Sequence, residues 1–152
     1  MNANELRIGN LVKINNDLLP ETKGQVYSVY GINERFDKEF PESANVVSLR
    51  HESRNTRYVR TYNQFDEFVE PIPLTEEWLV KFGFEKVNDN FMTIESYHYE
   101  NKNCWIYLIA DGFELELNTL SERNNLCRTY KYVHQLQNLY FALTGEELTI
   151  SE

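Results

Sequence analysis

Apolar and polar residues alternate in short runs over the first 70 residues of the chain. A period of two is typical of β-strands with one buried face, and polar or Gly/Pro-containing connectors separate the runs. The predicted strands cover residues 6–14, 25–32, 46–50 and 58–62, and a turn or bulge at Gly9-Asn10 is predicted to interrupt the first. About four or five short strands in a stretch of this length predict a β-rich part that forms a small curled sheet or a Src-homology-like β-barrel.

Pro71 and Pro73 interrupt this pattern. A proline fixes its own φ angle and has no backbone N–H, so two prolines at this spacing exclude a helix interior and a central strand. We therefore predict a small β-rich domain at residues 1–70 and an α+β domain at residues 71–152.

A short helix is predicted directly after the prolines. Thr75 is a suitable N-cap, and the negative charges of Glu76 and Glu77 favour the positive end of a helix. The helix is expected to end just before Gly83, because glycine suits the position that follows a helix. Its apolar residues share one face at helical spacing and are interpreted as core: Trp78, Leu79 and Phe82.

A meander of four antiparallel strands is predicted next, at residues 84–87, 91–99, 104–110 and 113–117. Segments rich in Asn and Asp separate the first three strands. Asp111-Gly112 separates the last two and supplies the positive φ angles that a tight hairpin turn requires.

The last of these strands alternates apolar and acidic residues. Phe113, Leu115 and Leu117 belong to one face, and Glu114 and Glu116 belong to the other. One face of the meander is therefore predicted to be apolar and the other to be wet and acidic.

A longer helix is predicted at residues 129–144, with Gly145 after its end. An apolar stripe at helical spacing supports it, formed by Tyr132, Leu136, Leu139 and Leu143 and widened by Val133 and Tyr140. This helix is expected to cover the apolar face of the meander. The second part is therefore predicted to contain, in order, a helix, four antiparallel strands and a second helix. The whole chain is predicted to be α+β.

The composition is that of a globular chain, with 41% hydrophobic and 26% charged residues among 152. Cys104 and Cys127 have no CxxC spacing and no clustered histidine, which predicts reduced thiols rather than a disulfide or a zinc site. The N-terminal residues have no signal-peptide pattern, and no stretch is apolar enough to span a membrane. These features predict a cytoplasmic protein.

The net charge of −9 disfavours duplex nucleic acid and anionic membranes as partners. Residues 1–70 contain nine Lys/Arg and eleven Asp/Glu, whereas residues 71–152 contain six and thirteen. The acidity therefore belongs to the second part and suits a basic protein partner. The aromatic content also leaves room for a homodimer.

Common catalytic motifs are absent from the sequence, including GxxxxGK[ST], GxGxxG, HExxH and GxSxG. The three histidines, His51, His98 and His134, are far apart and have no neighbouring His or Cys. We therefore predict a protein that is not an enzyme and has no catalytic residue, cofactor or metal site. A hydrolase or nuclease whose residues come together only in the fold is an alternative class.

One basic stretch, residues 49–62, holds four arginines against one glutamate. Arginine binds phosphate or carboxylate and tyrosine stacks on bases, so this stretch is a candidate site for a small anionic ligand, a nucleotide or single-stranded nucleic acid. The alternative is a solvated hairpin whose arginines pair with acidic residues. The candidate residues are Arg50, Arg54, Arg57, Tyr58, Arg60 and Tyr62.

Uncharged polar residues on the last predicted helix form a second candidate site, an interface with another protein. Amide and imidazole groups suit the polar edges of a partner. The sequence equally allows partial burial or an ordinary solvent face. The residues are His134, Gln135, Gln137 and Asn138.

Three segments carry a resemblance to a known family: ELRIGN at 5–10, PIPLTEEWLVKFGF at 71–84 and YVHQLQNLYFALTGEEL at 132–148. The chain resembles a family of short uncharacterised proteins encoded by gut bacteria and their prophages. The resemblance implies an accessory protein of a bacterium or mobile element and assigns no activity. We therefore predict a non-enzymatic protein-binding or adaptor module, with a small-ligand or nucleotide-binding (sequestering) protein as the alternative.

Overall fold

The computed structural model describes residues 3–15, 17, 20, 22–35, 44–51, 58–61, 68–87, 96–99, 104–109, 112–119 and 122–151. The protein is α+β: its described part contains strands in two antiparallel sheets and two α-helices. Neither of these helices is both long and apolar enough to cross a membrane.

The chain forms two compact units. The first unit contains Met1–Ile72 and Val133–Glu147, and the second contains Pro73–Tyr132 and Leu148–Glu152. The division into domains at residues 1–70 and 71–152 stays a prediction. The last helix nevertheless belongs to the unit that holds the first strands.

The first sheet has the strand order β4-β3-β2-β1-β5. Its strands are β1 (Leu11–Ile14), β2 (Val26–Arg35), β3 (Ala44–His51), β4 (Tyr58–Thr61) and β5 (Val69–Glu70). A 3-10 turn, Ala3–Glu5, precedes them. The first strand begins five residues later than the start predicted at residue 6, because Gly9 has a φ of 93° and turns the chain just before it.

The core of the first unit lies on one face of this sheet. Val12, Val47 and Leu49 are fully buried, and Tyr27 and Val29 are nearly so. Full burial of an aliphatic side chain contributes roughly 1.5–3 kcal/mol, so this cluster holds the three central strands together. A bulge between Val29 and Gly31 shifts the register of β2 against β3.

The second sheet is a meander with the strand order β10-β9-β8-β7-β6. Its strands are β6 (Glu85–Val87), β7 (Ser96–Tyr99), β8 (Cys104–Ile109), β9 (Gly112–Thr119) and β10 (Glu122–Tyr130). Gly112 is already part of β9 and pairs with Ile109, so the hairpin closes one residue earlier than predicted.

The fifth strand of the meander, β10, is missing from the sequence prediction. It pairs with β9 from Glu122 to Leu126 and again at Thr129 and Tyr130, with a bulge between. Its sequence, ERNNLCRTY, has few apolar residues, so alternation does not reveal it. The strand also occupies the residues where the last helix was expected to begin.

Helix α1 (Glu76–Lys81) begins after Thr75, as predicted. The Thr75 hydroxyl makes no cap hydrogen bond, although its backbone is extended as an N-cap requires. The predicted core residues of this helix are buried: Trp78, Leu79 and Phe82. Gly83, with a φ of 79°, ends the helix.

Helix α2 (Val133–Thr144) starts four residues after the predicted beginning at residue 129. Helix α2 packs against β1 within the first unit. Its covering of the apolar face of the meander stays a prediction. Its buried face contains Val133, Leu136 and Tyr140, whereas Leu143 of the predicted stripe is exposed. The buried face therefore contains Leu136 of the predicted stripe and the two residues predicted to widen it, Val133 and Tyr140.

Candidate functional site

The chain turns tightly between the 3-10 turn and β1. We call residues 5–11 the N-terminal segment; it runs from the last residue of the 3-10 turn to the first residue of β1. The Gly9 N–H donates to the Val29 carbonyl, and the Val29 N–H donates to the Asn10 carbonyl, both at 2.8 Å. The Asn10 side-chain oxygen accepts from the Arg7 N–H at 2.8 Å. Asn10 is fully buried. These bonds explain why a glycine and an asparagine interrupt the strand-like pattern here.

Two amide side chains of α2 bind the backbone of the N-terminal segment. The Gln137 side-chain oxygen accepts from the Leu11 N–H at 2.8 Å, and its NH₂ group donates to the Gly9 carbonyl at 3.3 Å. Asn138 donates to the Glu5 carbonyl at 2.7 Å. Gln137 is buried, so its amide replaces the water that these backbone groups would otherwise bind.

His134 lies one turn earlier on the same helix and is 1% exposed. Its Nε2 atom is 3.7 Å from a carboxylate oxygen of Glu5. Burial lowers the pKa of His134, and the nearby Glu5 carboxylate opposes this shift without overcoming it. The imidazole is therefore uncharged at neutral pH. A buried, neutral histidine fits a structural role in holding the N-terminal segment.

The polar residues predicted on this helix therefore lie mostly against the chain itself. His134 and Gln137 are buried, and Gln135 and Asn138 are half-buried. Partial burial was one of the alternatives that the sequence left open. A role of these four residues in contacting a partner stays a prediction.

Arg7 joins the N-terminal segment to the end of α2. Its guanidinium lies over the ring of Phe141, 3.8 Å from the ring centroid, and pairs with the Glu147 carboxylate. A Cβ atom added at Gly9 would meet a carboxylate oxygen of Glu147 at 3.2 Å. The Arg7, Phe141 and Glu147 side chains thus pack closely around the Gly9 turn.

Large apolar side chains are exposed around this turn. Ile8 is 60% exposed, Tyr30 54% and Phe141 37%. The Gly9-to-Val29 hydrogen bond sets Ile8 and Tyr30 at neighbouring backbone positions, and Arg7, next to Ile8, touches Phe141. We call Ile8, Tyr30 and Phe141 the apolar patch.

No pattern in the sequence singles out this patch. Ile8 fits the alternation of a predicted strand, and Tyr30 lies inside another. The turn at Gly9 and its hydrogen bond to Val29 set Ile8 and Tyr30 at neighbouring backbone positions. The one local signal for the patch is the apolar residue Ile8 directly before Gly9-Asn10, a pair of residues typical of turns.

The basic stretch lies partly outside the described residues, which include neither Arg54, Arg57 nor Tyr62. Arg50 lies on β3 and is exposed. The register sets Arg50 opposite Tyr58 on β4, and Arg60 opposite Ser48. An arginine and a tyrosine thus occupy directly opposed positions of neighbouring strands. Their use in ligand binding stays a prediction.

Within the described ranges, no group of three or more His, Cys, Asp or Glu residues is placed to hold a metal ion. Comparison with protein-family models, curated proteins and solved structures finds no match to this chain. The chemistry of the apolar patch and of the polar contacts beneath it is therefore the basis for inferring a function.

Proposed function

We propose that the protein is a non-enzymatic protein-binding or adaptor module and that the apolar patch is its contact surface. The observation that carries the proposal is the exposure of Ile8, Tyr30 and Phe141. Ile8 and Tyr30 flank the Gly9-to-Val29 hydrogen bond, and Phe141 contacts Arg7, which precedes Ile8. Single exposed apolar residues are ordinary, but large ones grouped together are typical of interaction sites. Aromatic residues and arginine are also enriched where proteins meet.

The patch has a rigid support, which favours binding over incidental exposure. Gln137 fixes the backbone on both sides of Asn10, and Arg7 is held between Phe141 and Glu147. A contact surface whose side chains are already fixed loses little conformational entropy on binding. The fixed turn therefore presents Ile8 in one position to a partner.

The proposal extends to the finer fold and the setting of the protein. We propose that the first sheet curls into a small β-barrel of the Src-homology-like kind, a scaffold that leaves its loops and turns for binding. The resemblance to proteins of gut bacteria and their prophages supports an accessory factor that acts in the cytoplasm.

Affinity capture with the tagged full-length chain from bacterial lysate tests the contact surface. A variant with Ile8→Ser and Phe141→Ser is expected to retain about tenfold less partner than wild type, because two anchors are lost. Val80→Ser is the matched control, since Val80 is also 60% exposed but lies on α1. Equal recovery by all three proteins, or no specific partner for any, would contradict the proposal.

A second function, binding of a small anionic ligand or nucleotide, is favoured by the register that sets Arg50 opposite Tyr58. Thermal unfolding with nucleotides, cyclic dinucleotides and divalent ions tests it. A ligand at 100 times its Kd stabilises the folded chain by about 2.7 kcal/mol. That gain should vanish in Arg50→Ala. No change in melting temperature with any compound would remove this function.

A further inference from the structure

The outer face of the first sheet carries polar residues on β2 and β3. Val29 and Leu49 belong to the buried core, and the residues that alternate with them belong to the opposite face. The side chains on that face are less buried, since Ser28 and Ser48 are half-buried and Arg50 is exposed. Burial and alternation therefore agree on which face of these two strands is open to solvent.

Tyr30 also belongs to this outer face. It follows the buried Val29 and is more than half exposed. The register of β2 against β3 shifts between Val29 and Gly31, so Tyr30 occupies the bulge. Bulges are common next to binding and active sites, where they re-aim a side chain, and a glycine inside a strand often marks the close approach of a ligand. The bulge and Gly31 thus both point to a ligand beside Tyr30.

The register brings these outer-face residues together. Ser28 lies directly opposite Arg50, and the Ser28 hydroxyl donates to the Arg50 carbonyl at 3.3 Å. Tyr30 is two residues further along β2, so its Cβ atom lies about 7–8 Å from that of Arg50, within reach of an aromatic and a long side chain. We call Ser28, Tyr30, Ser48 and Arg50 the outer-face group.

The two strand rows that contain this group hold no acidic residue. The row of Ser28 consists of Leu11, Ser28, Arg50 and Tyr58, and the row of Ser48 consists of Gly31, Ser48 and Arg60. All of these paired positions are neutral or basic, although the whole chain has a net charge of −9. Two arginines therefore occupy neighbouring rows where no carboxylate opposes them.

We propose that the outer-face group binds a nucleotide, with the base stacked on the Tyr30 ring and a phosphate group held by Arg50. The inference rests on the second function proposed above and assigns a site to it. A guanidinium presents paired N–H donors to phosphate oxygens, and the hydroxyls of Ser28 and Ser48 can donate to the same group. A tyrosine ring stacks on any base, because every base has a flat aromatic face.

The charge of the chain favours a free nucleotide over a nucleic acid strand. A net charge of −9 repels a long row of phosphates, whereas one nucleotide needs only the local charge of Arg50. The apolar patch shares Tyr30 with the outer-face group, but an apolar partner would leave the Arg50 charge and the two hydroxyls without a complement. A nucleotide complements all four side chains.

Fluorescence anisotropy with the full chain and ATP labelled on its ribose tests the site. ATP can represent nucleotides in general, because stacking tolerates any base. Tyr30→Leu keeps an apolar side chain but removes the ring, and Arg50→Gln removes the charge. Each is expected to weaken binding about tenfold, whereas Tyr30→Phe keeps the ring and should bind within about twofold of wild type.

Two control variants separate the site from general charge and from the apolar patch. Lys23→Gln removes an exposed cation elsewhere in the first unit, and Ile8→Ser with Phe141→Ser alters the patch. Both should bind labelled ATP within about twofold of wild type. Circular dichroism checks that each variant is folded. If Tyr30→Leu does not fold, Arg50→Gln and competition with unlabelled compounds test the site.

Competition against labelled ATP separates the two parts of the ligand. Adenosine has no phosphate and inorganic triphosphate has no base, so each should compete at least about tenfold more weakly than unlabelled ATP. A single-stranded oligothymidylate should also compete more weakly. Equal competition by adenosine or by triphosphate, or tighter binding of the oligonucleotide, would overturn the assignment to a free nucleotide.

The outcomes also separate this site from the second function as a whole. A nucleotide could raise the melting temperature and yet bind equally well to wild type, Tyr30→Leu and Arg50→Gln. That result would overturn the site and leave the second function standing. Absence of binding of labelled ATP to wild type would overturn the site, and the melting temperatures with the other compounds would then decide on the second function.

Discussion

The polar residues of α2 and those of the second sheet differ in charge and in spacing along the chain. On α2, uncharged side chains are buried and bind the chain's own backbone, as Gln137 does at Gly9 and Leu11. On the sheet, carboxylates share a face with aromatic residues, and Glu85 in that face is exposed. An uncharged polar residue among the apolar positions of a helix thus favours a hydrogen bond inside the protein. Charged residues that alternate with apolar ones along a strand favour a face in contact with solvent.

The largest expected effect concerns Gln137. Replacing it with leucine leaves the Leu11 N–H and the Gly9 carbonyl without their side-chain partner in a buried place. We expect Gln137→Leu to lower the free energy of unfolding by about 2–4 kcal/mol, measured by urea denaturation. Thr149→Leu, at an exposed position, is the control. A loss below about 1 kcal/mol for Gln137→Leu would mean that α2 does not depend on these bonds.

A smaller effect is expected at Gly9. Alanine there must adopt a φ of 93° and approach a carboxylate oxygen of Glu147 at 3.2 Å, so Gly9→Ala should cost about 2 kcal/mol. Gly24 has a φ of 75° with nothing within 4 Å of an added Cβ. Gly24→Ala should therefore cost only about 1 kcal/mol. If thermal or urea unfolding shows the same loss of stability for Gly9→Ala and Gly24→Ala, the contact with Glu147 does not contribute to the cost at Gly9.

The titration of His134 gives a pH-dependent effect. Burial lowers its pKa, so its contribution to stability is complete above the ordinary pKa of about 6.5. As the pH falls below that value, the unfolded chain binds the proton first and the free energy of unfolding decreases. The decrease is at most about 1.4 kcal/mol per pH unit.

Urea denaturation between about pH 7.5 and about pH 5.5 measures this effect. Glu5 is the carboxylate that faces His134, and its charge limits the decrease. His134→Gln cannot titrate and should lose less stability than wild type over this range. A wild type and a variant that lose equal stability would contradict the assignment of the effect to His134.

The smallest expected effect is on the sheet. Glu114→Gln with Glu116→Gln should change the free energy of unfolding by less than about 0.5 kcal/mol, because alternation along β9 predicts both glutamates on the polar face of the strand. Leu115→Ala, at the position between them, should cost about 2–5 kcal/mol. Urea denaturation of both variants checks this contrast. Similar losses would show that the two faces of β9 are both buried.

Local patterns predicted the parts of the fold that depend on neighbouring residues. Alternation indicated the strands around Val29 and Leu49, and helical spacing indicated the burial of Trp78, Leu79 and Phe82. These signals are short-range, because one buried face imposes its period on the residues of a single element.

Long-range contacts explain what the sequence did not reveal. Strand β10 has little apolar alternation and is defined by its pairing with β9. The same holds for Gln137, whose partners, Gly9 and Leu11, lie more than 120 positions away in the sequence. No local pattern distinguishes an amide that will bind the chain's own backbone from one that will bind a partner.

The central claim is that the polar side chains of α2 form hydrogen bonds with the backbone inside the protein, as Gln137 does at Gly9 and Leu11. Hydrogen exchange of the Leu11 amide, followed by NMR on the full chain, tests this claim most directly, because that N–H donates to the Gln137 side chain. We expect slow exchange in wild type and at least about tenfold faster exchange in Gln137→Leu relative to the Val47 amide of the core. Fast exchange at Leu11 in wild type would contradict the claim and favour the polar residues of α2 as a surface that contacts a partner.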